Sequence, residues 1–381
     1  MIRQIRRLLR PLPPAGGPRS APAVYFGQTR AGARPAPAAD QGFEGVACVD
    51  DASRAAIVFL RLWRMRRDEA DRVTAERLLA FVASMQADDG RFHNFVLDWD
   101  GTPNVAGPTS HPGGPWSARA THALAAGAVE GDDDGRLLAA ARAGFFAADR
   151  ECAHLDIRAV LVLAGLELER ARPDRAVRAR ALEHCDAIVA GRRGAVMCDD
   201  AREGDVHLWG HLQEAATAYA GMRLGRPGLI AAARGSAEAL LVPVAASGFA
   251  RPTVTPFEVS SAIAGLDAVA AATGERRFRR AAMAARAWFL GRNTAGMPVY
   301  DSVGGYVADG IDDGRVSRNS GAEANIEGAL AFLTPDTVPR RLSPDRQADR
   351  GRVVLQVAAA AGEDGEVHLP HGVGSGLAFG A

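Results

Sequence analysis

The chain contains no lysine: all 45 basic side chains among its 381 residues are arginines. That absence removes Schiff-base and pyridoxal-phosphate chemistry and the phosphate-loop lysine. Only four cysteines occur, Cys48, Cys152, Cys185 and Cys198, and none forms a C-x-x-C pair, so they read as reduced thiols rather than a zinc or disulfide framework. There is no G-x-S-x-G elbow, no G-x-G-x-x-G between a strand and a helix, and no H-E-x-x-H. Aromatic residues make up 6% of the chain, few for an isoprenoid cavity. Net charge is also lacking: 45 arginines balance 45 acidic residues, so nothing favours nucleic acid as the main partner. No apolar run approaches the roughly 20 residues of a membrane span. The basic N-terminus, MIRQIRRLLRPLPPAGG, has no apolar core of the secretory type. Cytoplasmic residence is the expectation that follows.

What is present is helical. Residues 1–41 are rich in Pro, Ala, Gly and Arg and predict a flexible segment or a strap. Residues 42–335 hold eleven stretches of helical apolar spacing, beginning with Ile57, Phe59, Leu60 and Trp63 and ending with SGAEANIEGALAFL. Arg-rich helices such as 135–150, 174–190 and 276–291 alternate with Ala- and Gly-rich ones such as 118–128, 211–221 and 258–272. That alternation predicts exposed and buried partners in stacked hairpins, an all-α fold arranged either as an open solenoid or as a closed α/α toroid; the repeats are dissimilar in sequence, which favours the toroid. Residues 336–381 are expected to be a tail or a small hairpin.

The unusual residues fall in loops entering the inner helices. These are Asp50, Asp51 and Arg54; His93; Trp116; His207, Trp209 and His211; Glu258; and a polar loop holding Tyr300, Asp309 and Asn319, followed by Glu323. Each has a structural reading. Asp50, Thr255 and Ser320 suit helix N-caps, and Thr255–Glu258 and Ser320–Glu323 both have capping-box spacing. His207 and His211 are four apart, a possible ligand pair, but no third ligand is evident and no metal or other cofactor is expected. Asp199-Asp200-Ala-Arg-Glu203 is similar to a magnesium motif but reads better as a charged surface loop. A toroid would nonetheless gather acids from successive inner helices around one axis.

At these residues the chain resembles the six-hairpin glycosidase-like superfamily. The carrying segments are Val49–Arg54, Asp89–Phe95, Trp288–Asn293, Tyr300-Asp301, Gly304-Gly305, Asp309-Gly310 and Asn319–Glu323. The resemblance implies the (α/α)6 form of the toroid and a carbohydrate substrate in the barrel mouth, with Asp51, Glu258 and Glu323 facing it. An inverting glycoside hydrolase is the leading expectation, with Glu258 as acid beside apolar Phe257 and Glu323 or Asp51 as base, Asp309 in reserve. Asp50, Arg54, His93, Trp116, Trp209, His211, Tyr300, Asp309 and Asn319 are expected to bind the substrate. Three alternatives remain: a sugar epimerase using His93, His207 and His211 as proton carriers, a non-catalytic sugar-binding protein, and a terpenoid cyclase-like toroid.

Overall fold

The computed structural model describes residues 1–24, 44–110, 112–131, 134–148 and 152–333. All eleven predicted helical stretches form, the eighth divided by a π turn into two helices, so that twelve follow from them. In chain order they are α2 (Val49–Arg66), α3 (Glu69–Ser84), α4 (Gly114–Glu130), α5 (Arg136–Ala147), α6 (Leu155–Ala171), α7 (Arg175–Ala190), α8 (Gln213–Leu224) and α9 (Pro227–Ser236). After a π turn at Ala237–Leu241 come α10 (Val242–Ala246), α11 (Pro256–Thr273), α12 (Arg276–Ala287) and α13 (Ala322–Phe332). A helix not anticipated, α1 (Ile2–Leu8), precedes them.

Helices α2, α4, α6, α8, α11 and α13 touch in that order, and α13 returns to α2, closing an inner ring. Each pairs with an outer helix: α3, α5, α7, α9 and α12 lie against α2, α4, α6, α8 and α11. The outer partner of α13 is α1, so the start of the chain completes the sixth hairpin. The flexible segment expected over residues 1–41 is therefore not what residues 1–24 form. Ile5 and Leu8 are fully buried, and a hairpin of β1 (Leu9–Leu12) and β2 (Arg19–Pro22) packs on α3. Two buried apolar side chains and a ladder outweigh the Pro/Gly composition that suggested a tail. Residues 25–41 and the expected C-terminal tail or hairpin at 336–381 lie outside the described residues.

Local chemistry accounts for the helix ends. Asp68 and Asp174 accept from the backbone N–H two residues on and start α3 and α7. Gly225 and Gly274, both left-handed, end α8 and α11. Two-residue strands pin the loops. β3 (Ala47–Cys48) pairs with β4 (Phe95–Val96) at the entry to α2. In the long polar loop, β5 (Thr253–Val254) pairs with β8 (Ile311–Asp312), which pairs with β9 (Arg315–Val316), while β6 (Tyr300–Asp301) pairs with β7 (Tyr306–Val307). None of these strands is long enough to show alternation, which is why the sequence reads as loop there. Gly310, at φ +144°, lets β8 lie against β5: a Cβ there would stand 2.4 Å from the Val254 carbonyl oxygen.

One further difference concerns length. The helix running from Pro227 to Ala246 is, by length and composition, apolar enough to cross a membrane, contrary to the expectation that no apolar run approaches that length. Arg234 and Glu238 interrupt it chemically without breaking it.

Candidate active site

The first turn of α2 carries Asp50 and Asp51, where the free N–H groups and the helix dipole favour negative charge. The cap itself is not Asp50, as expected, but Cys48, whose Sγ accepts from the Asp51 N–H at 3.4 Å. Burial pushes the Cys48 thiol well above its ordinary value. Asn94 fixes this end: its carbonyl oxygen accepts from Val49 N at 2.7 Å and its side-chain oxygen from Asp50 N at 3.3 Å.

One turn on, Arg54 is 6% exposed and joins four carboxylates. Its Nη2 reaches Asp51 at 2.8 Å, Asp50 at 3.0 Å and Glu323 at 3.1 Å, and its Nη1 reaches Glu327 at 2.5 Å. The guanidinium also lies over the Phe257 ring at 4.7 Å. Arg119 covers that same ring at 5.1 Å and pairs with Asp50. Arg54, expected to bind substrate, instead organises the acids from behind. Glu327 also accepts from the Ser260 hydroxyl. Neither Glu327 nor Arg119 stood out in the sequence, because each sits inside an ordinary helical repeat.

Around this knot lies a cavity of about 310 Å³, lined by Asp50, Asp51, Asn94, Phe95, Asp309 and Glu323 among others. Acids from α2, from the long loop and from α13 thus share one opening. Asp309 accepts from Gly321 N at 2.5 Å, and its own N–H donates to the Asn319 carbonyl at 2.9 Å. One oxygen of each of Asp50, Asp51 and Glu323 lies within 4.8 Å of the other two, a spacing that could hold a metal ion. The Arg54 guanidinium already provides the positive charge among them.

The environments separate these acids. Burial raises Asp51 to about 7, against the Arg54 charge and helped by Glu323. Burial also raises Asp309, to about 6. Burial acts on Asp50 too, but Arg119 and Arg54 outweigh it and hold that carboxyl below its ordinary value. Near neutral pH one acid is thus ready to give a proton beside others that stay ionised. The side chain of Glu323 is 49% exposed.

The two capping-box candidates part ways. Thr255 and Glu258 form the box: Glu258 Oε2 accepts from Thr255 N at 2.8 Å, while its Oε1 pairs with Arg251 at 2.6 Å. Glu258, the expected acid catalyst, is committed to holding the start of α11. Glu323 makes no such box. Helix α13 starts from Gly321, and Ser320 Oγ donates to the Val307 carbonyl, so Glu323 turns to the cavity.

Several expected substrate contacts have other duties. Trp116 is buried and donates from Nε1 to the Phe92 carbonyl at 2.7 Å. Tyr300 packs against the core from β6. His93 Nδ1 lies 3.3 Å from the Ser110 carbonyl oxygen. Residues 207–211 precede α8 rather than starting it, so the i, i+4 geometry is absent. Trp209, 48% exposed, stacks on His207 at 4.2 Å and stands 6.3 Å from Phe257. In the Asp199-Asp200 pair, Asp199 faces His211, while Asp200 accepts from the Arg202 and Glu203 N–H groups in a tight turn.

His211 is fully buried between Asp199 at 2.9 Å and Glu214 at 3.0 Å. Burial opposes its charge, but the two carboxylates prevail and raise it to about 10. Because the folded value exceeds the unfolded one, its contribution is complete below about 6.5 and is lost as pH rises towards about 10. Chemical denaturation is expected to show stability declining over that interval in the wild type, and a clearly flatter profile in His211→Gln.

No protein-family model and no curated protein matches the sequence. Solved structures do match. The chain is similar to a sugar epimerase from a ruminal bacterium, with a TM-score of 0.63 and 14% identity over 90% of this chain and 96% of that one. It is similar to a D-mannose isomerase, with a TM-score of 0.59 and 8% identity over 74% and 86%. It is also similar to a GH76 alpha-mannanase of Bacteroides thetaiotaomicron, with a TM-score of 0.59 and 10% identity over 83% and 90%. These likenesses establish the six-hairpin (α/α)6 toroid as the fold of this chain.

Proposed function

We propose that the chain is a carbohydrate-active enzyme, a glycoside hydrolase whose acid is Asp51 and whose second carboxylate is Glu323. The observation that carries this reading is the cavity of about 310 Å³ in which a buried carboxyl, raised to about 7, stands beside a half-exposed one. Cleaving a glycosidic bond takes two carboxyl groups: one that can give a proton to the leaving oxygen, which the raised Asp51 suits, and a second that faces the anomeric carbon or its water. The names of the structural neighbours, two sugar isomerising enzymes and a mannanase, support a carbohydrate as the substrate class.

The stereochemical expectation changes with the geometry. Inverting enzymes hold their carboxyl groups about 6.5–9.5 Å apart, leaving room for water. Oxygens of Asp51 and Glu323 lie within 4.8 Å, nearer to the roughly 5–5.5 Å of retaining enzymes. The reading therefore favours retention, with Glu323 as nucleophile and Asp51 as acid and then base.

An epimerase is the second reading, favoured by the coverage of the ruminal sugar epimerase. Against it, His211 is enclosed and protonated at neutral pH, so it is no base for a sugar in this arrangement. A panel of neutral oligosaccharides and monosaccharides separates the two. Hydrolysis raises the total of reducing ends; epimerisation leaves it constant while changing the sugar. Turnover of none of them, by either readout, would contradict both.

The protonated Asp51 also sets a pH dependence. A general acid with a value of about 7 loses its proton above that point. The profile of kcat/KM is expected to fall on its alkaline side from about pH 7, and Asp51→Asn to remove that limb from whatever activity remains.

A further inference from the structure

The outer wall of the ring carries a surface that the cleft chemistry does not use. Helix α12 (RRFRRAAMAARA) contains five arginines and no acid. Two are neutralised: Arg277 by Glu238 and Glu275, and Arg286 by Asp267. Arg276, Arg279 and Arg280 are exposed and, among the described residues, have no acidic partner; the same holds for Arg292 just beyond the helix. On that side the chain also exposes large apolar groups, with Met283 at 56%, Met297 at 53% and Leu290 at 38%. Exposed apolar side chains and cations without acidic partners thus stand together on one stretch of the outer wall.

A second observation lies next to it. Helix α10 packs against α12 and ends the continuous apolar helix Pro227–Ala246, whose exposed uncharged positions are Pro227, Gly228, Ala231, Ala239, Pro243 and Ala246. Its two charged residues are both consumed, Arg234 by Glu275 and Glu238 by Arg277. A helix whose outward positions are small, uncharged residues and two paired charges thus runs beside a row of arginines that have no acidic partner among the described residues. Both lie in the outer layer, while the acidic cleft opens at the N-terminal ends of the inner helices.

We infer that this face, α9–α10 with α12, docks the protein on an anionic lipid surface. Charge complementarity and the apolar groups together select this occupant. A soluble polyanion would meet the arginines but leave Met283, Leu290 and Met297 in water. A bilayer interface takes both, phosphate headgroups against the guanidinium groups and the acyl boundary against the apolar tips. With no net charge to attract the whole molecule, the pull acts only within about a Debye length of this face, about 10 Å at 0.1 M salt. The contact is therefore oriented and reversible. It is peripheral, since Pro227–Ala246 keeps its packing on α8 and α11.

Vesicle co-sedimentation of the full chain tests this independently of any activity. The expected result is binding to phosphatidylcholine vesicles containing phosphatidylglycerol at low salt, and release by high salt or by omitting the anionic lipid. The double variant Arg279→Glu/Arg280→Glu should bind at least about tenfold more weakly, since each cation near such a surface contributes about a factor of five. Met283→Ser should bind a few-fold more weakly. Both sites are exposed, so both variants should melt with the wild type. The inference is overturned if the wild type stays in the supernatant with anionic vesicles, if plain phosphatidylcholine binds it equally, or if the double variant binds undiminished. It is overturned equally if Met283→Ser binds as the wild type does, which would make the face a site for polyanions alone.

Discussion

Arg54→Ala is expected to lose about 3–5 kcal/mol of folding stability at neutral pH, the cost typical of stripping one partner from a buried ion pair. The guanidinium is the shared counter-charge of Asp50, Asp51, Glu323 and Glu327, all within 3.1 Å of it. Asp51 and Glu327 are both buried, and burial already raises both above their ordinary values. Without the guanidinium they would rise further. A folded value above the unfolded one means that the native state binds more protons, so stability falls as pH climbs from about 4 through the folded values. The deficit should therefore be small near pH 5 and large at pH 8, as read by urea denaturation at several pH values. Arg54→Lys should recover only part of it. A single ammonium cannot reach Glu327 with one arm and the other three carboxylates with the second, as the planar fork does. A deficit equal at both pH values would mean that lost packing on Phe257, not charge, is what the substitution removes.

The second large effect concerns turnover. Asp51→Asn and Glu323→Gln are each expected to lower kcat/KM about 10²–10⁴-fold on any sugar found by the oligosaccharide panel, the usual contribution of a positioned acid or base. Asn keeps the shape of Asp51 but has no proton to give. Gln keeps the length of Glu323 but loses the negative charge that must face the anomeric carbon. Neither substitution uncovers an isolated buried cation, because Arg54 retains three other carboxylates. Melting temperatures near that of the wild type are therefore expected, and they separate a catalytic loss from a folding one.

Helical periodicity carried most of the architecture. Apolar spacing in α2 or α6 is the direct imprint of burial against a neighbour, so those helices were legible from the chain alone. The ring's sixth outer helix was not. Ile5 and Leu8 are two apolar residues in a short basic stretch, and only contact with α13 gives them a place to be buried. The candidate site divides in the same way. Asp51, Asp309 and Glu323 were marked by their position before inner helices, and they do line one cavity. Glu258 carried the same S/T-x-x-E signal as Glu323 and turned out to be a cap. Local spacing is identical in the two cases; what differs is whether the cap residue's side chain is claimed elsewhere. Ser320 is drawn away to the Val307 carbonyl, and that contact spans 13 positions in the chain. Arg119 and Glu327 were missed for a related reason: their roles come from partners on other helices, Asp50 for one and Arg54 and Ser260 for the other. Trp116 drew notice as an aromatic near a loop and is buried on its own helix, whereas Tyr300, chosen for the same reason, is half-buried against the core from its strand.

The most direct test of the account sets those two glutamates against each other. Measured as kcat/KM on one shared substrate, Glu323→Gln should fall by at least about a hundredfold. Glu258→Gln should stay within about tenfold of the wild type and melt close to it, because glutamine keeps the oxygen that accepts from Thr255 N and loses only the charge facing half-exposed Arg251. The reverse pattern, with turnover surviving at position 323 and abolished at position 258, would contradict the assignment of the cleft around Arg54 as the catalytic centre.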